Sequence, residues 1–159
     1  MSYLLWKLVH IASVIIFLGN ITTGIFWAFH SRKTHDYAHI ATTFDGIIRS
    51  DRLFTVPGVI GIIASGVAAA MQARLPILGT GWILWPLLLF AVSGLVFGIR
   101  VAPLQRELVH LARDTGTAGN RQREFDAAFR DWELWGLVAL ALPVAAMTIM
   151  VLKPALPGL

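Results

Sequence analysis

The 159-residue chain has no cysteine. That absence excludes disulfides, thiolate metal ligands, iron–sulfur clusters and cysteine nucleophiles. Charge is also scarce: Asp, Glu, Lys and Arg make up 14% of the residues, against about 25% in soluble domains. No Asp or Glu interrupts the long apolar stretches, so the intramembrane carboxylate expected of a proton pump or carboxylate-coupled transporter is missing. There is no phosphate-binding glycine loop, no Gly-x-Ser-x-Gly and no His-Glu-x-x-His, so the common nucleotide, serine-hydrolase and zinc-protease signatures are unrepresented.

What is present is hydrophobic: 57% of the chain, with a mean hydropathy of +0.70. Leu4–Phe29, Leu53–Ala73, Trp82–Pro103 and Leu134–Leu152 are each long enough to cross a bilayer, which predicts an all-α, four-helix antiparallel bundle forming a single membrane domain over 1–159. The first stretch has no basic region before it and is too long for a signal-peptide core, so it is expected to be a retained span. The short connection 74–81 should make the second and third spans antiparallel neighbours. Basic residues sort by side. Arg32, Lys33, Arg49, Arg52, Arg106, Arg113, Arg121, Arg123 and Arg130 lie in the two long connections, whereas Lys7, Arg74 and Lys153 lie on the other side. The positive-inside rule then puts both long connections in the cytoplasm and both termini outside. The net charge of +4 therefore reports topology and not a nucleic-acid partner.

The long connections carry helical stripes: Ile40, Phe44, Ile47 and Ile48; Leu104, Leu108, Leu111 and Ala112; Phe125, Ala128, Phe129 and Trp132. They predict cytoplasmic helical extensions, with Ser50 capping the second span and a break at Thr115–Asn120. Gly58, Gly61, Ser65 and Ala69 give the second span a small face, and Gly94 and Gly98 form a small-xxx-small pair. Trp82 and Trp85, and on the other side Trp132 and Trp135, fit interfacial belts. Arg49, Asp51 and Arg52 ahead of the second span, and Arg130, Asp131 and Glu133 ahead of the fourth, read first as charges that anchor the membrane edge, with an ion pair of Arg52 with Glu133 or Asp131 as the alternative. Arg100, inside the apolar run, calls for an inward partner or a short reach to the interface. Asn20, Thr22 and Thr23 suit hydrogen bonds between helices.

One titratable ring stands in the run Leu8–Phe29, which at about 1.5 Å per residue spans roughly 33 Å. It is His10, with Lys7 one turn nearer the surface. A neutral imidazole is a good iron ligand and an ammonium suits a carboxylate, so the pair fits haem b with His10 on the metal and Lys7 on a propionate. The competing reading is a hydrogen bond between helices and a lysine that snorkels. His10 lies roughly 9 Å below the outer end of its span, and no other span offers a histidine. Met147, at a similar depth, is the candidate sixth ligand, with five-coordinate iron as the alternative. His35 and His39, four apart, could share a helix face, and His30 with His110 could form an inner site.

Tyr3-Leu4-Leu5-Trp6-Lys7-Leu8-Val9-His10-Ile11, followed by Gly19, resembles the opening of the HemJ-type protoporphyrinogen oxidases. Arg130-Asp131-Trp132-Glu133 leading to Val151-Leu152-Lys153-Pro154 is similar to the start and end of their last span. The whole chain more closely resembles the bacterial predicted-integral-membrane-protein families grouped with HemJ and the CopD-like copper-resistance proteins. The resemblance implies a haem-b-binding bundle in the bacterial inner membrane, with His10 at the ligand position and quinol or porphyrin as the lipophilic partner. It departs at Pro86, where HemJ-type enzymes place a lysine shortly after the tryptophan opening the third span. Haem binding therefore carries over, and protoporphyrinogen oxidation does not. Whether the chain is an enzyme stays open. The alternatives are a cofactor-free accessory or assembly subunit, working in a homo-oligomer or with other membrane subunits, and copper handling.

Overall fold

The computed structural model is all-helical and describes residues 2–118 and 121–159, without the side chains of 115–118. Helix α1 is Tyr3–Arg32. Helix α2, Tyr37–Ser50, continues through a π-helical turn, Asp51–Thr55, into α3, Val56–Gln72. Helix α4, Gly81–Val96, continues through a second π turn, Phe97–Val101, into α5, Ala102–Ala118, and α6 is Gln122–Leu152. The chain thus forms four helical rods, within which Tyr3–Arg32, Tyr37–Gln72, Gly81–Asp114 and Gln122–Leu152 are each long and apolar enough to span a membrane.

Both π turns have the same cause. The Val56 N–H reaches back five residues to the Asp51 carbonyl, and the Ala102 N–H does the same to Phe97. One residue beyond each lies a proline, Pro57 or Pro103. A proline ring within a helix clashes with the carbonyl four residues earlier, here Leu53 and Ile99, the middle residues of the two wide turns. Widening the turn relieves that clash without ending the helix. Ser50 is therefore not a cap: it is helical, with φ −65° and ψ −35°, and its hydroxyl donates to the Ile47 carbonyl at 3.0 Å. The break expected at Thr115–Asn120 comes later than placed, since α5 runs to Ala118; Gly119 and Asn120 lie outside the described residues.

Three pairings organise the helices. Helix α1 lies on α3 and α4 on α6, while α2 and α5 pack on each other beside the start of α6. The expected neighbours α3 and α4 do not pack together. Both are apolar all round, so periodicity could not reveal which face meets protein and which meets lipid. The glycines decide it. A Cβ on Gly58 would come within 3.2 Å of Phe17 Cβ, and one on Gly61 within 3.2 Å of Ser13 Cβ, so the small face of α3 belongs to α1.

The core sits at the α2/α5 end. Ile40, Phe44 and Ile47 face Leu108, Leu111 and Ala112, and the α6 stripe Phe125, Ala128, Phe129 and Trp132 closes the cluster. Phe129, fully buried, has ring contacts with Phe29, Phe44, Phe125 and Trp132 at 5.6–6.1 Å. Trp132 is consequently no interfacial residue: it is 3% exposed, 5.1 Å from the Phe44 ring, because it shares the stripe of Phe125 and Phe129. Ion pairs rim this end, the half-buried Arg32 with Asp126 and the exposed Arg113 with Asp45. Among the described residues the alternative ion pair of Arg52 with Glu133 or Asp131 is absent. Arg100 instead lies over the Trp135 ring at 5.1 Å. At the opposite end the C-terminal tail folds back on the 73–80 connection. Lys153, left-handed at φ 47°, turns the chain and sits over Trp82, and Leu159 N–H donates to the Leu78 carbonyl at 2.8 Å.

Candidate functional site

His10 lies where α1 crosses the small face of α3. Its Nδ1 is 2.9 Å from the Ile62 carbonyl oxygen. A carbonyl only accepts, so Nδ1 carries the hydrogen, and in the neutral ring Nε2 keeps the lone pair. This is the arrangement typical of metal-ligating histidines, whose second nitrogen is oriented by a backbone carbonyl. Ser65 Oγ stands 3.4 Å from the same Nδ1 and donates to the Gly61 carbonyl. Gly66 makes room: a Cβ there would lie 3.1 Å from His10 Cε1. Lys7, one turn away, is exposed. Met147 is 41% exposed on α6.

His35 has φ 55° and precedes α2, whose N-cap is Asp36, accepting from the Ala38 and His39 N–H groups at 3.0 and 3.1 Å. His35 and His39 therefore do not share a helix face, because the capping turn separates them. His30 stacks on Phe26 and meets Trp27 edge-on. Among the described residues no group of three His, Asp or Glu side chains could hold a metal ion.

A second polar centre escaped the sequence reading. Asp51, two residues ahead of the second apolar span, is 8% exposed. One of its carboxylate oxygens accepts from Thr55 Oγ1 at 2.8 Å and Asn20 Nδ2 at 3.2 Å; the other accepts from Gln105 Nε2 at 3.0 Å. Asn20 Nδ2 also donates to Thr55 Oγ1 at 3.0 Å. The carboxylate thus ties α1, the first π turn and α5 together through neutral donors. Asn20 meets the expectation of a bond between helices, whereas Thr22 bonds only to Leu18 of its own helix. The signal that could have found Asp51 is the proline six residues on, since the wide turn carries Asp51 and Thr55 inward together.

The model of a family described as predicted integral membrane protein (DUF2269) matches residues 4–154. The chain belongs to this family. No curated protein and no solved structure matches it. For this DUF2269 member the family supports a multi-pass integral membrane protein.

Proposed function

We propose that this DUF2269 protein is a bacterial inner-membrane redox protein holding haem b through His10. The supporting observation is the His10 ring itself: its Nδ1 is committed to the Ile62 carbonyl, so Nε2 is the nitrogen left for iron. The donor chemistry fits, with Lys7 exposed one turn away for a propionate and Met147 as the candidate sixth ligand. Bound there, haem supplies one-electron transfer, with a quinol or porphyrin as partner; the chain's own residues orient the imidazole and fix its tautomer. The likeness of the first nine residues of α1 to HemJ-type proteins points the same way. The bundle is antiparallel with both termini outside, since nine basic residues lie in the two long connections.

A visible spectrum of the purified protein tests this reading. The expected result is a Soret band lost in His10→Ala and kept in His30→Ala. A second reading, a cofactor-free accessory subunit, is favoured by Gly94 and Gly98, against which no atom lies within 4 Å of a built Cβ. That leaves their small-xxx-small face open to another helix. A folded, colourless protein that takes up no haem would select it.

A further inference from the structure

Between the α1/α3 pair and the α4/α6 pair lies a cavity of about 200 Å³. It is larger than the engineered cavity of about 150 Å³ that admits benzene. Phe17, Ile21, Val59, Phe90 and Phe97 make most of its wall apolar. The end toward α2 and α5 is different. There Asn20, Asp51, Gln105 and Trp132 line it, and both π turns reach it, through Asp51 and Thr55 on one side and Phe97 and Val101 on the other. Wide turns of this kind occur often at functional sites.

Trp132 is the informative residue. Its Nε1 is buried and has no hydrogen-bond partner. A buried indole N–H without an acceptor is destabilising, and native proteins rarely leave one so. Asp51, lining the same cavity, already accepts from three neutral side chains, but a carboxylate's two oxygens offer about four lone-pair sites. The polar end therefore presents one unused donor and spare acceptor capacity. A hydroxyl can answer both, accepting from the indole and donating to the carboxylate.

The cavity also has a way in. Ile63 on α3 and Ala91 and Gly94 on α4 line it and are exposed, and α3 and α4 do not pack together. In a chain of membrane-spanning helices, a gap on that side faces lipid.

We propose that this cavity binds the hydroxylated aromatic ring of a membrane-dissolved phenol or quinol, its hydroxyl between Trp132 Nε1 and Asp51 and its tail leaving between α3 and α4. The site contains neither His10 nor Lys7, so it is independent of the haem reading and is tested on protein with or without a Soret band.

The test uses the full chain in lipid nanodiscs with three probes: 4-octylphenol, octyl-1,4-hydroquinone and octylbenzene. Titrations follow the indole N–H resonance of Trp132, assigned by its loss in Trp132→Phe. Both hydroxylated probes should saturate the site and move that resonance downfield, whereas octylbenzene should bind at least roughly threefold more weakly, the scale of one net hydrogen bond. Trp132→Phe should weaken octylphenol by roughly threefold to tenfold and leave octylbenzene unchanged. Gly94→Phe, at an exposed position with free space around it, should block all three. Equal affinity for octylbenzene and octylphenol in the native protein would overturn the proposal, and so would a Trp132 resonance that no probe moves. Saturation by the hydroquinone alone would restrict the site to quinols; saturation by both hydroxylated probes supports the shared chemistry.

Discussion

Replacing Gly61 with alanine tests the way α1 and α3 come together. Two opposed effects must be separated. Alanine is favoured over glycine in a helix by about 1 kcal/mol, so the substitution alone should stabilise. Here, however, the new methyl would meet Ser13, with Cβ to Cβ at 3.2 Å and the hydroxyl oxygen closer still. Overpacking of this kind costs about 1–3 kcal/mol. Gly94→Ala is the matched control, because its Cβ meets nothing within 4 Å and it gains the same propensity. The difference between the two variants cancels propensity and isolates the clash, so Gly61→Ala should be less stable than Gly94→Ala by about 1–3 kcal/mol. Ser13→Gly added to Gly61→Ala should recover most of that difference, since it removes the atoms being struck. The assay is reversible unfolding in mixed micelles of native-like detergent and SDS, followed by far-UV circular dichroism. Equal stabilities for Gly61→Ala and Gly94→Ala, or no recovery from Ser13→Gly, would refute the pairing of α1 with the small face of α3.

Phe129→Ala, at the centre of the α2/α5/α6 cluster, should cost about 3–5 kcal/mol in the same assay, while truncating exposed Leu95 on α4 should leave stability nearly unchanged. Gln105→Leu removes one donor from Asp51 and should cost about 1–3 kcal/mol, measured by the unfolding midpoint; a more stable variant would show that the carboxylate does not need it. Gly81→Ala would drive a Cβ into the Leu156 backbone. The C-terminal tail should then detach and be clipped faster by carboxypeptidase, with no comparable change in Gly94→Ala.

The amphipathic parts of this fold were legible in the sequence and the purely apolar parts were not. Phe125, Ala128, Phe129 and Trp132 stand out because charged residues flank them, so the stripe on α6 identified the core correctly. The same stripe should have removed Trp132 from the interfacial belt, since a helix face buried at Phe129 is buried one turn later. Within the spans that contrast vanishes: lipid and protein are equally apolar, and the short connection 74–81 suggested a contact between α3 and α4 that does not exist. Only steric detail, such as the fit of Gly58 under Phe17, assigns the partners. His10 could be singled out from cost alone, but its bond to Ile62 could not. Asp51 was hidden for a different reason. In a regular helix it reads as one more charge beside Arg49 and Arg52, and it is buried by a π turn that depends on Pro57.

A haem titration distinguishes the proposed iron ligand at His10 Nε2 from a histidine that only bonds α1 to α3. Protein prepared without haem is titrated with hemin under reducing conditions while the Soret absorbance is followed. Saturation at one haem per chain is expected, with that uptake lost in His10→Ala and retained in Trp132→Phe. The same uptake by His10→Ala, or none by the native protein, would contradict the proposed ligand.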